Sequence, residues 1–432
     1  MRGRLHTPEQ ASAPHPDPLP VKYGEREVPG PPTVNRPLLI AFCGLLLSVS
    51  AFSCDITLPA FWSMQEDLGA PIEWVQAVVP VFLIFQAIGQ LIFGPVSDRY
   101  GRRPVILAGL ALYLVGAAMA GLAQSIGAVH AGRAAQGFGS ACGIVVGRAV
   151  LRDVSHGTAL AQSMALAMAI FALGPISAPL VGYGLVALSG WRGVFIGMAI
   201  FAAFLLLWGA LWFRETNVAP DATALRPDRL LQSLRRIADH PQSRYFLIIA
   251  AATQFGIISF VANGPRFFKS AFGIDGLEFA LLFAATGLGI VLGQIANNRM
   301  IAQLGVLTTT RIAAFVLLAV TTLVVLLSLA DALPGVAFTG LMFMFNTSFL
   351  VVMANSASLV IDPHRDIAGF ASSAYGFFTQ ITASVAAVLT VPLFAGELLP
   401  WSLTMLAVTL AVFVLIMVYR PAQALQRGLP ER

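Results

Sequence analysis

Apolar runs of about twenty residues follow one another along most of this chain, separated by short polar clusters. Their pattern predicts helical segments at 37–62, 74–95, 104–124, 128–150, 160–186 and 192–213, then at 244–268, 277–297, 310–329, 335–360, 369–394 and 401–419. Runs of this length match a bilayer core of roughly 30 Å, and only helices can cross lipid as single open segments because lipid gives the backbone no partners. A soluble bundle would show polar positions recurring every 3.6 residues, and stretches such as VLLAVTTLVVLLSLA show none. The expected fold is therefore an all-α membrane protein with twelve transmembrane helices in two six-helix halves. The halves span 37–213 and 244–419, joined by a linker at 214–243. That linker holds Arg226, Arg229, Arg235 and Arg236, and its LLQSLRRIA stretch predicts a short surface helix. Residues 1–36 carry eight prolines and no apolar run of the kind a signal peptide needs, so they read as a disordered cytoplasmic tail. Residues 420–432 form a second cytoplasmic tail.

Composition agrees with this reading: 57% of residues are hydrophobic, 11% are charged, and mean hydropathy is +0.79. The net charge of +5 is explained by topology. With both termini inside, the cytoplasmic segments hold 21 of the 26 lysines and arginines. The opposite side holds Arg192, Arg266 and Lys269, while Arg133 and Arg148 lie within segments. This bias places both termini in the cytoplasm of a cell with the protein in its inner membrane, and it removes any need for a nucleic-acid partner. Cys43, Cys54 and Cys142 all sit in apolar runs without metal-like spacing and read as small packing residues. No metal site, cofactor, Walker motif or serine–histidine arrangement is indicated, which disfavours an enzyme or a primary pump.

The charges concentrate most sharply in GPVSDRYGRRP, from Gly94 to Pro104, where Asp98, Arg99, Arg102 and Arg103 fall within six positions around Gly101. A faint echo appears 199 residues later: Gly293 and Asn297 repeat the spacing of Gly94 and Asp98. With the six-plus-six count, this supports parallel halves.

GPVSDRYGRR between segments 2 and 3 resembles motif A of the major facilitator superfamily, and RAAQGFG (Arg133 to Gly139) on segment 4 is similar to its motif B. GPISAPLVG (Gly174 to Gly182) on segment 5 resembles the antiporter motif of drug exporters. DITLP (Asp55 to Pro59) and WRGVF (Trp191 to Phe195) narrow the resemblance to the drug:proton antiporter branch, in the bicyclomycin and chloramphenicol resistance group. The resemblance covers residues 37–420. It implies a monomer that exports amphipathic compounds across the cytoplasmic membrane in exchange for protons, with Arg133 taking part in proton coupling. An exporter or symporter of a native metabolite, such as an amino acid, small peptide or organic acid, is the alternative. The chain departs from the family pattern in two places. Residues 38–54 hold no acid, and Gly182-Tyr183-Gly184 ends the antiporter motif less regularly than a double glycine.

In motif A, Gly94 allows a close approach to segment 11, and Asp98 is expected to latch the two halves by facing the first turn of that segment, near Ile367 to Phe370. Arg99, Arg102 and Arg103 are expected to pair with carboxylates and anchor the loop at the headgroups; a positive-inside loop alone would account for the arginines but not for Asp98 or Gly94.

Asp55 is the one acid well inside an apolar segment, which makes it a proton-carrier or substrate-binding candidate. Burial and a neighbouring cation act on a carboxyl in opposite senses, so a change of surroundings can load and unload a proton. A structural partner for an arginine, or a helix-end residue if helix 1 stops early at Pro59, is the bland alternative. Arg133 has Gln136 one turn on, and a structural ion pair is the competing reading. Arg148 and Arg152 fit snorkelling from the end of segment 4. Arg266 either faces Asp55 across an outer gate or anchors at the interface. Gly174, Pro175, Pro179 and Gly182 form a bent, close-packed face whose bland reading is ordinary helix packing. Gln86, Gln90, Gln136, Gln254, Asn263, Asn346, Asn355, Tyr375 and Gln380, interleaved with Phe345, Phe349, Phe377 and Phe378, are the expected lining of a substrate cavity. An apolar cavity with scattered polar groups suits lipophilic compounds better than sugars, and one embedded acid against at least one embedded arginine favours neutral or zwitterionic cargo over dications.

Overall fold

A computed structural model describes residues 35–394 and 396–420, so the expected tails fall almost wholly outside the described residues. Those residues are helical and contain ten stretches long and apolar enough to cross a membrane. Two of the ten hold two spans each. The stretch 157–212 bends at Ser189 and Gly190, where Gly190 takes φ +67°. The stretch Gly335–Phe394 turns through a 3-10 segment at Asp362–Ile367.

Twelve membrane helices result: α1 Arg36–Asp55, α2 Val78–Tyr100, α3 Arg102–Gly121, α4 Ile126–Val154, α5 157–188 and α6 191–212. The second half holds α7 Pro241–Phe272, α8 Gly276–Leu304, α9 Val306–Leu329, α10 Gly335–Ile361, α11 Ala368–Phe394 and α12 Leu398–Val418. A surface helix, Pro227–Asp239, lies between α6 and α7. Each expected segment has its helix.

Two boundaries move for reasons that matter to the site. Segment 1 does not run on to residue 62: α1 stops at Asp55, and a 3-10 turn (Leu58–Ala60) and a short helix (Phe61–Leu68) follow. Pro59 has no N–H to offer the carbonyl four residues back, which is that of Asp55. Segment 2 ends later than 95, because α2 continues through Pro95 to Tyr100. Asp98 and Arg99 thus belong to its last turn, and the link to α3 is the single residue Gly101 at φ +97°, a conformation that side chains resist. The equivalent link in the second half is Gly305, at φ +76°, between α8 and α9.

The first half is packed around the glycines of α4. A Cβ on Gly137 would strike the Phe82 carbonyl of α2, one on Gly139 the Gly109 carbonyl of α3, and one on Gly143 the Leu46 carbonyl of α1. Such near-backbone contact suits helices that gain little hydrophobic drive from lipid. One end of the second half is filled by aromatic rings instead, with Phe260, Phe268, Phe283, Phe338 and Trp401 in mutual contact. The halves meet through α2 against α11 and α5 against α8. Gln90 presses on Gly376 at the first seam, and the Pro175 carbonyl faces Gly287 at the second.

Candidate functional site

A cavity of about 380 Å³ lies between the halves, lined from α1, α2, α4 and α5 on one side and α7, α8, α10 and α11 on the other. Among the described residues, Asp55 is its one acidic lining residue and Arg148 its one basic one. The rest is mostly apolar, including Leu47, Val79, Phe171, Ile257, Phe283 and Phe349.

Asp55 sits where α1 breaks and is 7% exposed. Its carboxylate has no hydrogen-bond partner among the described residues and faces the cavity. The antiporter glycines back this break. Gly174 lies over Ala51 and Phe52, and a Cβ on Gly182 would run into the Ile56 carbonyl, one residue past Asp55. Pro175 turns the other way, lining the cavity and facing α8. Pro179 lies inside the same helix.

Arg133 is fully buried but outside the cavity. Nε donates to the Val78 carbonyl at 3.2 Å, Nη2 to the Ser53 carbonyl at 3.1 Å and Nη1 to Gln136 Oε1 at 3.2 Å. The guanidinium stacks 4.3 Å from the Phe82 ring centre. No carboxylate pairs with it among the described residues, so the ion-pair reading is replaced by a lock on the α1 backbone two residues before Asp55. Tyr113 Oη and Ser53 Oγ, 2.5 Å apart, close the same cluster.

Six of the nine polar residues expected from sequence do line it: Gln86, Gln90, Gln254, Asn346, Tyr375 and Gln380. Several are already engaged. Gln86 donates to Ser140 Oγ at 2.9 Å, Gln254 to Gln380 Oε1 at 3.1 Å, Asn346 to the Thr286 carbonyl at 2.9 Å and Tyr375 to the Met353 carbonyl at 2.9 Å. Gln136, Asn263 and Asn355 do not line it. Gln136 is held by Arg133, and Asn263 belongs to a seal at the end opposite the linker. Of the expected aromatics, Phe349 reaches the cavity, whereas Phe345, Phe377 and Phe378 do not line it.

That seal explains Arg266, which faces Glu73 and not Asp55: Arg266 Nη1 donates to Glu73 Oε1 at 2.9 Å. Gln76 Nε2 donates to the Ala262 carbonyl and to Asn263 Oδ1, both at 3.1 Å. Lys269 Nζ stands 4.2 Å from the Trp62 ring centre. All these contacts cross between the halves. Glu73, Gln76 and Trp62 are not among the site residues expected from sequence: Glu73 falls between segments 1 and 2, and Trp62 and Gln76 fall at their ends. They sit in or beside the short helices Phe61–Leu68 and Ile72–Gln76, too short to show a periodic pattern.

At the linker end, motif A is knotted within its own half. Arg102 bridges Asp98 at 2.6 Å and Asp153 of α4 at 3.0 Å, and Ser97 accepts a further bond from it. Glu215 accepts from the backbone N–H groups of Arg102 and Arg103, and Arg103 Nη2 donates to the Ala210 carbonyl. Arg99 lies against Tyr100. The expected Asp98 contact with the start of α11 is absent among the described contacts, since Arg102 takes the carboxylate. Gly94 does face α11, but a Cβ there would stand 3.5 Å from Ser373 Oγ, so the approach leaves room for one.

The cavity continues toward this end into a second of about 270 Å³, sharing Gln90, Ile144, Arg148 and Ser372 with the first. Arg148 therefore lines the path and does not snorkel outward.

Two helical halves around a central cavity, sealed at one end and approached from the other, define a membrane transporter. The Major Facilitator Superfamily profile matches residues 42–387, and the chain belongs to that family. It is a multi-pass membrane protein that acts on small-molecule substrates, and its family is one of transporters, not enzymes. The chain is 28% identical over 360 residues to the uncharacterized MFS-type transporter YdgK of Bacillus subtilis, covering 82% of this chain and 89% of that protein. It is 27% identical over 279 residues to a bicyclomycin resistance protein homolog of Haemophilus influenzae, covering 64% and 69% respectively. The crystal structure of a D-xylose-proton symporter shares the fold with a TM-score of 0.71 at 15% identity, over 88% of this chain and 97% of that one.

Proposed function

We propose that the protein expels amphipathic compounds across the cytoplasmic membrane in exchange for protons, as a monomer with both termini in the cytoplasm. The observation that carries this reading is Asp55: a single carboxylate in a mostly apolar cavity, placed at a helix break and without a hydrogen-bond partner among the described residues. A drug-resistance name among the relatives and the scarcity of polar lining groups favour lipophilic cargo over sugars.

In this mechanism Asp55 is the proton carrier. Arg133 acts on it indirectly, by fixing the Ser53 carbonyl and hence the end of α1. Gly174 and Gly182 let α5 lie against the break, and Pro175 extends that helix to the α5–α8 seam. Cargo enters from the linker end, past Arg148, while the Glu73–Arg266 seal holds the far side shut. Rocking the halves exchanges the two sides around the fixed cavity. The motif A knot of Asp98, Arg102 and Asp153 keeps α2, α3 and α4 moving as one body.

The test is uptake of a fluorescent lipophilic substrate into everted membrane vesicles under an imposed proton gradient, comparing the native protein with Asp55→Asn and Asp55→Glu. Asp55→Asn is expected to keep substrate binding while losing gradient-driven uptake, and Asp55→Glu to retain part of it. Native gradient-driven uptake by Asp55→Asn would overturn the assignment.

A further inference from the structure

The path from the linker end passes two arginines one helical turn apart on α4. Arg148 lines both cavities, and Arg152 lines the second. Neither has a hydrogen bond or ion pair to a carboxylate among the described residues. Arg152 reaches the first turn of α11, where its Nη1 would lie 3.4 Å from a Cβ on Gly369. The carboxylates that neighbour Arg152 are Asp98 and Asp153, and both are spanned by Arg102. Among the described residues, Arg152 is the charged neighbour of Arg148. The N-terminal end of α11 adds the positive end of a helix dipole at the same place. Like charges one turn apart on a helix repel each other, and in a half-buried cleft that repulsion is poorly screened. Ser372 and Ser373 of α11 line the opposite wall and supply neutral donors.

Asp55 is too far away to be the missing counter-ion. Gly147 packs at the level of Cys43, Leu46 and Leu47 of α1, which places the adjacent Arg148 eight to twelve residues below Asp55. At 1.5 Å per residue the separation along the bundle is roughly 12–18 Å.

We propose that Arg148 and Arg152 form an anion-recognition site at the inner mouth of the transport path, so that preferred cargo carries a carboxylate, sulfonate or phosphate group on an apolar body. The anionic group docks between the two guanidiniums and the Ser372–Ser373 wall, and the apolar body extends along the cavity toward Asp55. This rests on the efflux reading above for the identity of the path but not on proton coupling. The shared chemistry, an anionic head on an apolar body, also describes an acidic lipid headgroup.

The experiment compares binding of a matched probe pair, dansyl-phenylalanine and its uncharged carboxamide, to the purified full-length protein by dansyl fluorescence. It is run in nanodiscs of phosphatidylcholine with and without phosphatidylglycerol. The acid is expected to bind about ten- to a hundredfold tighter than the amide, the scale of a charge-assisted contact. Arg148→Gln and Arg152→Gln each shrink that preference, and an unchanged melting temperature of each purified variant reports an intact fold. Competition by phosphatidylglycerol identifies a lipid headgroup as a natural occupant of the same site; its absence leaves soluble anions as the cargo. Equal binding of acid and amide, including no binding of either, overturns the proposal, as does a preference that survives both substitutions. Gradient-driven uptake of the uncharged amide separates the two ideas, because it can persist when anion preference fails and vanish in Asp55→Asn when anion preference holds.

Discussion

The seal opposite the linker rests on few polar contacts, and Glu73 is the one whose removal is easiest to read. The Glu73–Arg266 pair joins the two halves at 2.9 Å, with side chains 32% and 17% exposed. A fully exposed pair contributes about 0.2–1 kcal/mol, whereas a hydrogen bond to a buried charged group contributes about 1.5–3 kcal/mol. This pair lies between those limits, so about 1 kcal/mol of the sealed arrangement depends on it. Removing that much shifts a two-state equilibrium roughly fivefold, raising a far-end-open population of about 5% to about 20%. Nitroxide labels at Glu66 and Ala271, on opposite halves at this end, report the change by double electron–electron resonance. The three buried cysteines, Cys43, Cys54 and Cys142, are replaced first so that labelling is specific. Glu73→Gln and Arg266→Gln should each add a longer-distance component, and the double variant should add little more than either single one, because the two residues share one interaction. Asp67→Asn removes the Arg192–Asp67 pair, which lies within the first half, and should leave the distribution unchanged. The reasoning fails if both seal variants keep the native distribution, or if Asp67→Asn broadens it equally.

Packing offers a sharp contrast between glycines. Gly137→Ala drives a methyl into the Phe82 backbone and should lower thermal stability by roughly 1–3 kcal/mol, while Gly184→Ala meets nothing within 4 Å and should be close to neutral in the same thermal-shift assay. Glu215→Gln weakens the cap on the first turn of α3 by about 1 kcal/mol, and faster amide hydrogen exchange confined to residues 101–104 and 214–218 would show it.

The membrane class, the helix count and the two-half plan were legible because lipid imposes one rule along the whole chain: a span must be helical, long enough and apolar. Asp55 stood out for the same reason, although the apolar run hid the early end of α1, which makes Asp55 a helix-end residue. Side-chain partners were not legible. Arg266 could be assigned to Asp55 only by analogy between helices 1 and 7, and the geometry gives it Glu73 instead, from a five-residue helix too short to leave a periodic signal. Asp98 was expected to reach across to α11, yet Arg102, four residues away on the next helix, takes its carboxylate because Gly101 folds the chain back within a single residue. Gln136 and Asn263 show the same limit. Polar side chains at membrane depth can face either a cavity or one another, and hydropathy does not separate the two.

The resemblance motifs of α5 acquire a physical meaning only when both of its faces are considered. Gly182 rests on the Ile56 carbonyl, beside the break that carries Asp55, and Pro175, seven residues earlier, rests on Gly287 of the other half. At 1.5 Å per residue these contacts are about 10 Å apart on one helix. A displacement of the α1 break is therefore felt by the same element that forms the α5–α8 seam, with no intervening loop to absorb it. The two prolines weaken the hydrogen-bond ladder of α5 between and around these contacts, so the helix can bend while keeping both. At the α1 break, the carboxylate and the seam are joined through a single helix, so the proposed proton exchange would have a direct route to the interface between the halves.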